Sequence, residues 1–158
     1  MRQPLEIPII LRRVRLEGPA ASRQVDMVLD TGAIYTAISW ETAKDLGYDP
    51  AGSPERVSVI TANGVIEVPK LSVQRVAFRE LVGEKIEVIC HDIPELAEIE
   101  GLIGLSFLKH FQLVLDFKTG ILVIKCEEDS SALRTSRRQP YKIWVTPTFK
   151  RSFFHSEV

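Results

Sequence analysis

Asp30 is the residue of this chain best placed to do chemistry. It lies in the run Met27-Val28-Leu29-Asp30-Thr31-Gly32-Ala33, where an apolar strand leads straight into a carboxylate, a hydroxyl and a glycine. Because Val28 and Leu29 are apolar, Asp30 is expected at the buried end of a strand, where an ionised carboxylate needs partners. Gly32 lets the loop bend back so that backbone amides can approach that carboxylate. Ala33 is small and adds no competing hydrogen bond. A second stretch, Gly101-Leu102-Ile103-Gly104-Leu105-Ser106-Phe107-Leu108, pairs two apolar residues with a glycine ahead of a short helical pattern. A glycine in such a strand suits close passage behind another backbone.

In this order the two stretches resemble the active-site loop of the aspartic proteases and the strand that crosses behind it. The Ala33 after Gly32 is closer to the retroviral-type branch than to the pepsin type. The resemblance spans about residues 25–125 and is closest to small single-domain bacterial members of the retropepsin-like group. It implies that Asp30 is catalytic, that Thr31, Gly32 and Ala33 form the active-site loop, and that Leu102, Ile103 and Gly104 support it. It also implies that Thr31 hydrogen-bonds across a dimer axis. Ile38-Ser39 followed by residues 41–47 resembles the strand and helix after the catalytic loop, with Ser39 as N-cap, Glu41 in the first turn and Gly47 as the stop. Two β-rich runs, 57–60 and 65–68, surround an Asn63-Gly64 pair, a strong hairpin signal. In the family this hairpin is the flap over bound peptide, which implies substrate-binding roles for Thr61, Ala62, Asn63, Gly64 and Val65. Retroviral members commonly carry an Arg after the second glycine, paired with an acid just past the catalytic Ala. Here Leu105 and Ile34-Tyr35 hold those places, so that ion pair is absent.

The chemistry needs two carboxylates and the chain supplies one, because no second Asp-Thr-Gly or Asp-Ser-Gly occurs in it. Two Asp30 side chains meeting on a twofold axis would share a proton. One would act as general base on a water and the other would hydrogen-bond the scissile carbonyl. The implied function is an aspartic endopeptidase, a hydrolase, whose partners are a second copy of itself and a polypeptide substrate, with no cofactor. The rival is a non-proteolytic dimeric domain of the same fold that binds peptide or protein. His91, His110 and His155 lack the spacing of a zinc site, so no metal is expected.

The elements that must position these residues read as strands over residues 5–16, 24–29, 36–39, 57–68, 71–78, 85–90, 101–103, 111–116 and 121–125. Turns are expected at Gly18-Pro19, Asp49-Pro50, Asn63-Gly64, Gly83 and Lys118-Thr119-Gly120. Helical patterns appear only at 41–46 and 106–110. The expectation is an all-β, closed barrel-like domain, a single retropepsin-like lobe with one or two short helices.

At 158 residues the chain can bury a sizeable core as one domain. That domain is read as residues 1–126. From 127 to 158 the character changes to an acidic step and then basic residues interleaved with Tyr141, Trp144, Phe149, Phe153 and Phe154, read as a flexible or loosely packed extension. Twenty basic residues against 21 acidic ones give no whole-chain argument for nucleic acid or an anionic membrane. The apolar run at 7–11 is too short for a signal peptide or a membrane span. A soluble, cytoplasmic protein is expected, with no nucleic-acid partner. Cys90 and Cys126 read equally as hydrophobic side chains or as a bridge.

Overall fold

The phase of the apolar residues on the first strand is set by a bulge. Leu11, Val14 and Leu16 are all buried, yet on a regular strand Leu11 and Val14 would face opposite sides. The register of β1 (Ile10–Glu17) against β2 (Ser22–Leu29) slips between them, with one extra residue on β1. Arg13 adopts φ 60°, and Asp26 receives the Arg13 N–H at 2.8 Å and the Arg12 guanidinium at 2.7 Å. Both arginines therefore turn outward while the apolar face stays on the core.

The computed structural model describes residues 8–61, 64–93, 99–126 and 141–144. After β2 come β3 (Thr36–Ile38), α1 (Trp40–Asp45), β4 (Arg56–Thr61), β5 (Gly64–Phe78), β6 (Leu81–Cys90), β7 (Gly101–Ile103), α2 (Leu105–Leu108), β8 (Phe111–Asp116), β9 (Ile121–Cys126) and β10 (Tyr141–Trp144). The main sheet runs β1-β2-β7-β3-β6-β5, and β5 pairs back onto β1, so six strands close into a barrel. β4 hangs on the outer half of β5 as a hairpin, and β10-β9-β8 form a second sheet. The architecture is the expected all-β barrel with two short helices.

Two apolar clusters result. The larger fills the barrel with residues such as Leu16, Met27, Ile38, Val76, Ile86, Ile103 and Phe107. The smaller joins Ala37, Val68 and Ile89 to the partly buried Tyr35, Val57, Val59, Ile66 and Leu102. β3 contributes Ile38 to the larger and Ala37 to the smaller, and all three of its residues are buried. At α1 the Ser39 hydroxyl accepts the Thr42 N–H at 3.0 Å, and Gly47, at φ +91°, follows the helix end, as the capping pattern predicts.

Several local expectations are revised. Gly83 is not a turn residue but lies buried within β6, where its missing side chain makes room for Ile86 and Phe107. The turn falls instead at Arg79-Glu80, with Arg79 at φ 55°. Residues 64–78 form one continuous strand whose first half pairs with β4 and whose second half pairs with β6 and β1. Within the expected C-terminal extension, β10 pairs antiparallel with β9, a strand the sequence reading did not place. Residues 127–140 and 145–158 lie outside the described residues, as do residues 1–7, where the expected first strand begins. Both cysteines are unbridged, Cys90 buried and Cys126 exposed, and burial pushes the Cys90 thiol up to about 11. Among the described residues no helix is long and apolar enough to cross a membrane.

With only four residues, α2 cannot persist on propensity alone. Phe107, fully buried with its ring centroid 4.9 Å from that of Phe111, ties it into the barrel. Phe107→Ala is therefore expected to cost about 3–5 kcal/mol, read as a fall in the urea midpoint. A loss below about 1 kcal/mol would show that α2 is held by something else.

Candidate active site

β2 and β7 run parallel, side by side, with Leu29 opposite Ile103. Asp30 and Gly104 therefore leave the sheet at the same end. The loop from Asp30 to Tyr35 is then laced to the start of α2. Asp30 N–H donates to the Ile103 carbonyl at 2.9 Å, and the Leu105 and Ser106 N–H groups donate to the carbonyls of Ala33 and Ile34, each at 2.8 Å. Gly104, the N-cap of α2, has no side chain with which to cap it. The carbonyls of the Asp30 loop satisfy these first helical donors instead.

The crossing is tight. A Cβ on Gly104 would run into the Tyr35 carbonyl and sit 2.8 Å from the Ala33 oxygen. The same lack of space makes Gly101 necessary, since a Cβ there would lie 2.6 Å from the Ala37 oxygen. Gly32 is different: a Cβ would meet only Asp30 Oδ1, at 3.3 Å. Its contribution is its amide, which donates to Asp30 Oδ1 at 2.9 Å. Asp30 is half-buried rather than enclosed, and Thr31 and Gly32 are exposed. The expected burial of the carboxylate is thus only partly reached within one chain, because the loop turns outward as soon as β2 ends.

Of the residues singled out from sequence, Asp30, Gly32, Ala33, Ile103 and Gly104 are brought into one hydrogen-bonded unit. Leu102 faces the smaller apolar cluster beneath the β4–β5 hairpin. That hairpin forms where Asn63-Gly64 predicts, with Thr61 opposite Gly64, Gly64 at φ +120° and the Thr61 hydroxyl donating to the Gly64 carbonyl at 2.9 Å. Ala62 and Asn63 lie outside the described residues. One face of the hairpin, Val57, Val59 and Ile66, packs with Tyr35 and Leu102, while Ile60 and Val65 on the other stand 86% and 67% exposed.

At the root of the hairpin, Lys70 bridges Glu55 at 2.8 Å and Glu87 at 2.9 Å beside an open cleft of about 360 Å³. Hydrogen bonds that the Lys70 ammonium donates to both carboxylates raise it above its ordinary value, and Lys70 in turn lowers Glu87. This cluster ties the residue ahead of β4 to β5 and β6 and shares no residue with the Asp30 loop.

Sequence reasoning passed over Thr36 and Ser106. Both are buried, and Thr36 N–H donates to Ser106 Oγ at 2.8 Å while Gly104 N–H donates to Thr36 Oγ1 at 3.2 Å. A hydroxyl within an otherwise apolar strand start, and another in the first turn of a helix beyond a glycine, were the available signals.

Comparison with known proteins agrees with this geometry. A family model described as gag-polyprotein putative aspartyl protease matches residues 16–110, a span that contains both the Asp30 loop and the Gly104 crossing. A curated Sinorhizobium protein, described as an uncharacterized protein in the cobV 5' region, is 28% identical over 92 residues, which is 58% of this chain and 39% of that protein. The chain thus spans about two fifths of that relative's length. A crystal structure of a retropepsin-like aspartic protease from Rickettsia conorii matches with a TM-score of 0.50 and 22% identity, covering 68% of this chain and 83% of that one, a likeness of fold.

The two loop glycines should respond differently to a methyl group. Gly104→Ala collides with backbone that has nowhere to go and is expected to cost about 3 kcal/mol. Gly32→Ala faces one movable carboxylate oxygen and should stay within about 1 kcal/mol of wild type. Urea unfolding of both variants checks this, and equal stabilities would mean that the crossing is looser than described.

Proposed function

Because the chain belongs to the gag-polyprotein putative aspartyl protease family and has a retropepsin-like fold, we propose that it is an aspartic endopeptidase whose site is assembled from two copies of Asp30. The observation that carries this reading is the placement of Asp30. It is a half-exposed carboxylate on a loop laced by main-chain hydrogen bonds, with its Oδ1 oriented by the Gly32 amide.

A second copy approaching on a twofold axis brings its own Asp30 against the first. Two carboxylates about 3 Å apart hold one proton between them. The ionised member takes a proton from a water placed between the two, and that water attacks the scissile carbonyl carbon. The protonated member donates a hydrogen bond to the carbonyl oxygen and stabilises the developing oxyanion. The exposed Thr31 lies on the contact between copies and fixes the two loops together. An extended polypeptide runs between the loop and the β4–β5 hairpin, where Thr61, Ala62, Asn63, Gly64 and Val65 cover it and Tyr35, Val59, Ile66 and Leu102 offer an apolar wall. Collapse of the tetrahedral adduct breaks the C–N bond, the proton taken from the water passing to the departing amine nitrogen, and no covalent intermediate with the protein forms.

Asp30→Asn removes the general base with little change in volume and should lower cleavage of an unfolded protein, followed by mass spectrometry, by about a hundredfold or more while the fold is retained. Each site needs Asp30 from both copies, so exchanging wild type with an equal amount of Asp30→Asn leaves about a quarter of the dimers intact and about a quarter of the activity. Activity should also fall on dilution as the dimer dissociates. Activity held at one half after verified exchange would mean that each chain carries its own site. A chain that dimerises and binds peptide without any Asp30-dependent cleavage would instead be the binding domain.

A further inference from the structure

Thr36 and Ser106 stand 70 residues apart in sequence, on either side of the crossing that holds the Asp30 loop. They exchange hydrogen bonds in both directions. Ser106 Oγ accepts the Thr36 N–H at 2.8 Å and donates its own proton to Thr36 Oγ1 at 3.1 Å. Thr36 Oγ1 also accepts the Gly104 N–H at 3.2 Å. Two donors on one hydroxyl oxygen use both of its lone pairs. Thr36 is fully buried and Ser106 is 5% exposed, so water does not substitute for either hydroxyl.

The location matters as much as the bonding. The loop is pinned at its start by Asp30 N–H on the Ile103 carbonyl and in its middle by the Ala33 and Ile34 carbonyls. The hydroxyl pair supplies the pin at its end, where the loop becomes β3. Without it, Gly104 N–H and Thr36 N–H lose their acceptors at a buried site, and the loop must shift or admit water to satisfy them. Such a shift moves the Asp30 carboxylate relative to whatever faces it, and misplacement of a reacting group lowers turnover.

We infer that Thr36 and Ser106 form a hydroxyl clasp that positions the Asp30 loop for turnover, two positioning residues that touch neither substrate nor the reacting atoms. This rests on the protease reading above.

Thr36→Val, Ser106→Ala and the double variant would be compared with Thr36→Ser, which keeps the oxygen. Kinetics would use a fluorogenic peptide built around a bond that the wild-type chain is first shown to cut in an Asp30-dependent manner. The expected result is a fall in kcat of about tenfold for Thr36→Val and Ser106→Ala with KM within about twofold, and recovery of most of the rate by Thr36→Ser. The double variant should be no worse than the poorer single one, because both remove the same clasp. Amide hydrogen exchange supplies a readout independent of activity: the Gly104 amide should exchange faster in Thr36→Val and the Thr36 amide faster in Ser106→Ala, while β5 and β6 keep their protection. An unchanged kcat in both single variants of an active enzyme, a loss that Thr36→Ser does not recover, or exchange raised equally across β5 and β6 would overturn the clasp and leave the protease reading standing. A wild-type chain with no Asp30-dependent cleavage would overturn the protease reading, and the catalytic role of the clasp with it.

Discussion

Two backbone segments far apart in sequence cross at Gly104 with less room between them than a methyl group needs, and most of the architecture follows from that contact. For Gly104 to lie against Ala33 and Tyr35, β7 must be inserted next to β2, and it is, parallel, with β3 on its other side. A strand from residue 101 onward therefore sits in the middle of a sheet otherwise begun by residues 10–38. The insertion lets six strands close into a barrel, and it makes closure depend on contacts of long sequence separation. Such pairings carry a large loop-closure cost before any of them is rewarded. Folding of the site and closure of the barrel are in this sense one event.

Within that frame the carboxylate itself carries little of the load. The Asp30 loop is held by main-chain groups, whereas among the described residues the Asp30 side chain receives one amide, from Gly32. A half-exposed carboxylate with one partner costs the single chain little. The proposed chemistry asks for the opposite, a pair of carboxylates removed from bulk water, where electrostatic interactions gain strength. In the proposed arrangement Asp30 stays half open in one chain and the site closes only in a pair, which would separate the two demands and place the desolvation cost in association rather than in folding.

The legible parts of the fold were those with local causes. Ser39 as N-cap, Gly47 at the helix end and the hairpin around Asn63-Gly64 are each specified by side-chain or backbone chemistry within a few residues, and they stand where the pattern put them. The order of the Asp30 loop and the Gly104 crossing was legible because each is a compact motif. Gly83 misled because a glycine reads alike whether it turns the chain or makes room for a ring, and only the position of Phe107, 24 residues on, decides between them. Arg79 and Arg13 at positive φ could not be read from residue type, since tertiary contacts rather than propensity put them there. The half-exposure of Asp30 was hidden for a related reason: apolar Val28 and Leu29 announce a buried strand but not where the loop after it turns.

The hydroxyls of Thr36 and Ser106 were illegible in sequence, and the reason they are present is geometric. Where two loops cross too closely for a strand to fit between them, buried N–H groups are left beyond the reach of any ladder carbonyl. A glycine N-cap makes this worse, because Gly104 relieves the steric problem at the crossing while giving up the side chain that would normally cap α2. The loop carbonyls of Ala33 and Ile34 take over two of the helix donors, and short hydroxyl side chains are the smallest groups able to reach the N–H groups of Gly104 and Thr36. An apolar residue in place of either hydroxyl would leave a donor unpaired at a cost of about 1–3 kcal/mol. The close approach at Gly104 thus selects both its own residue type and the hydroxyls around it.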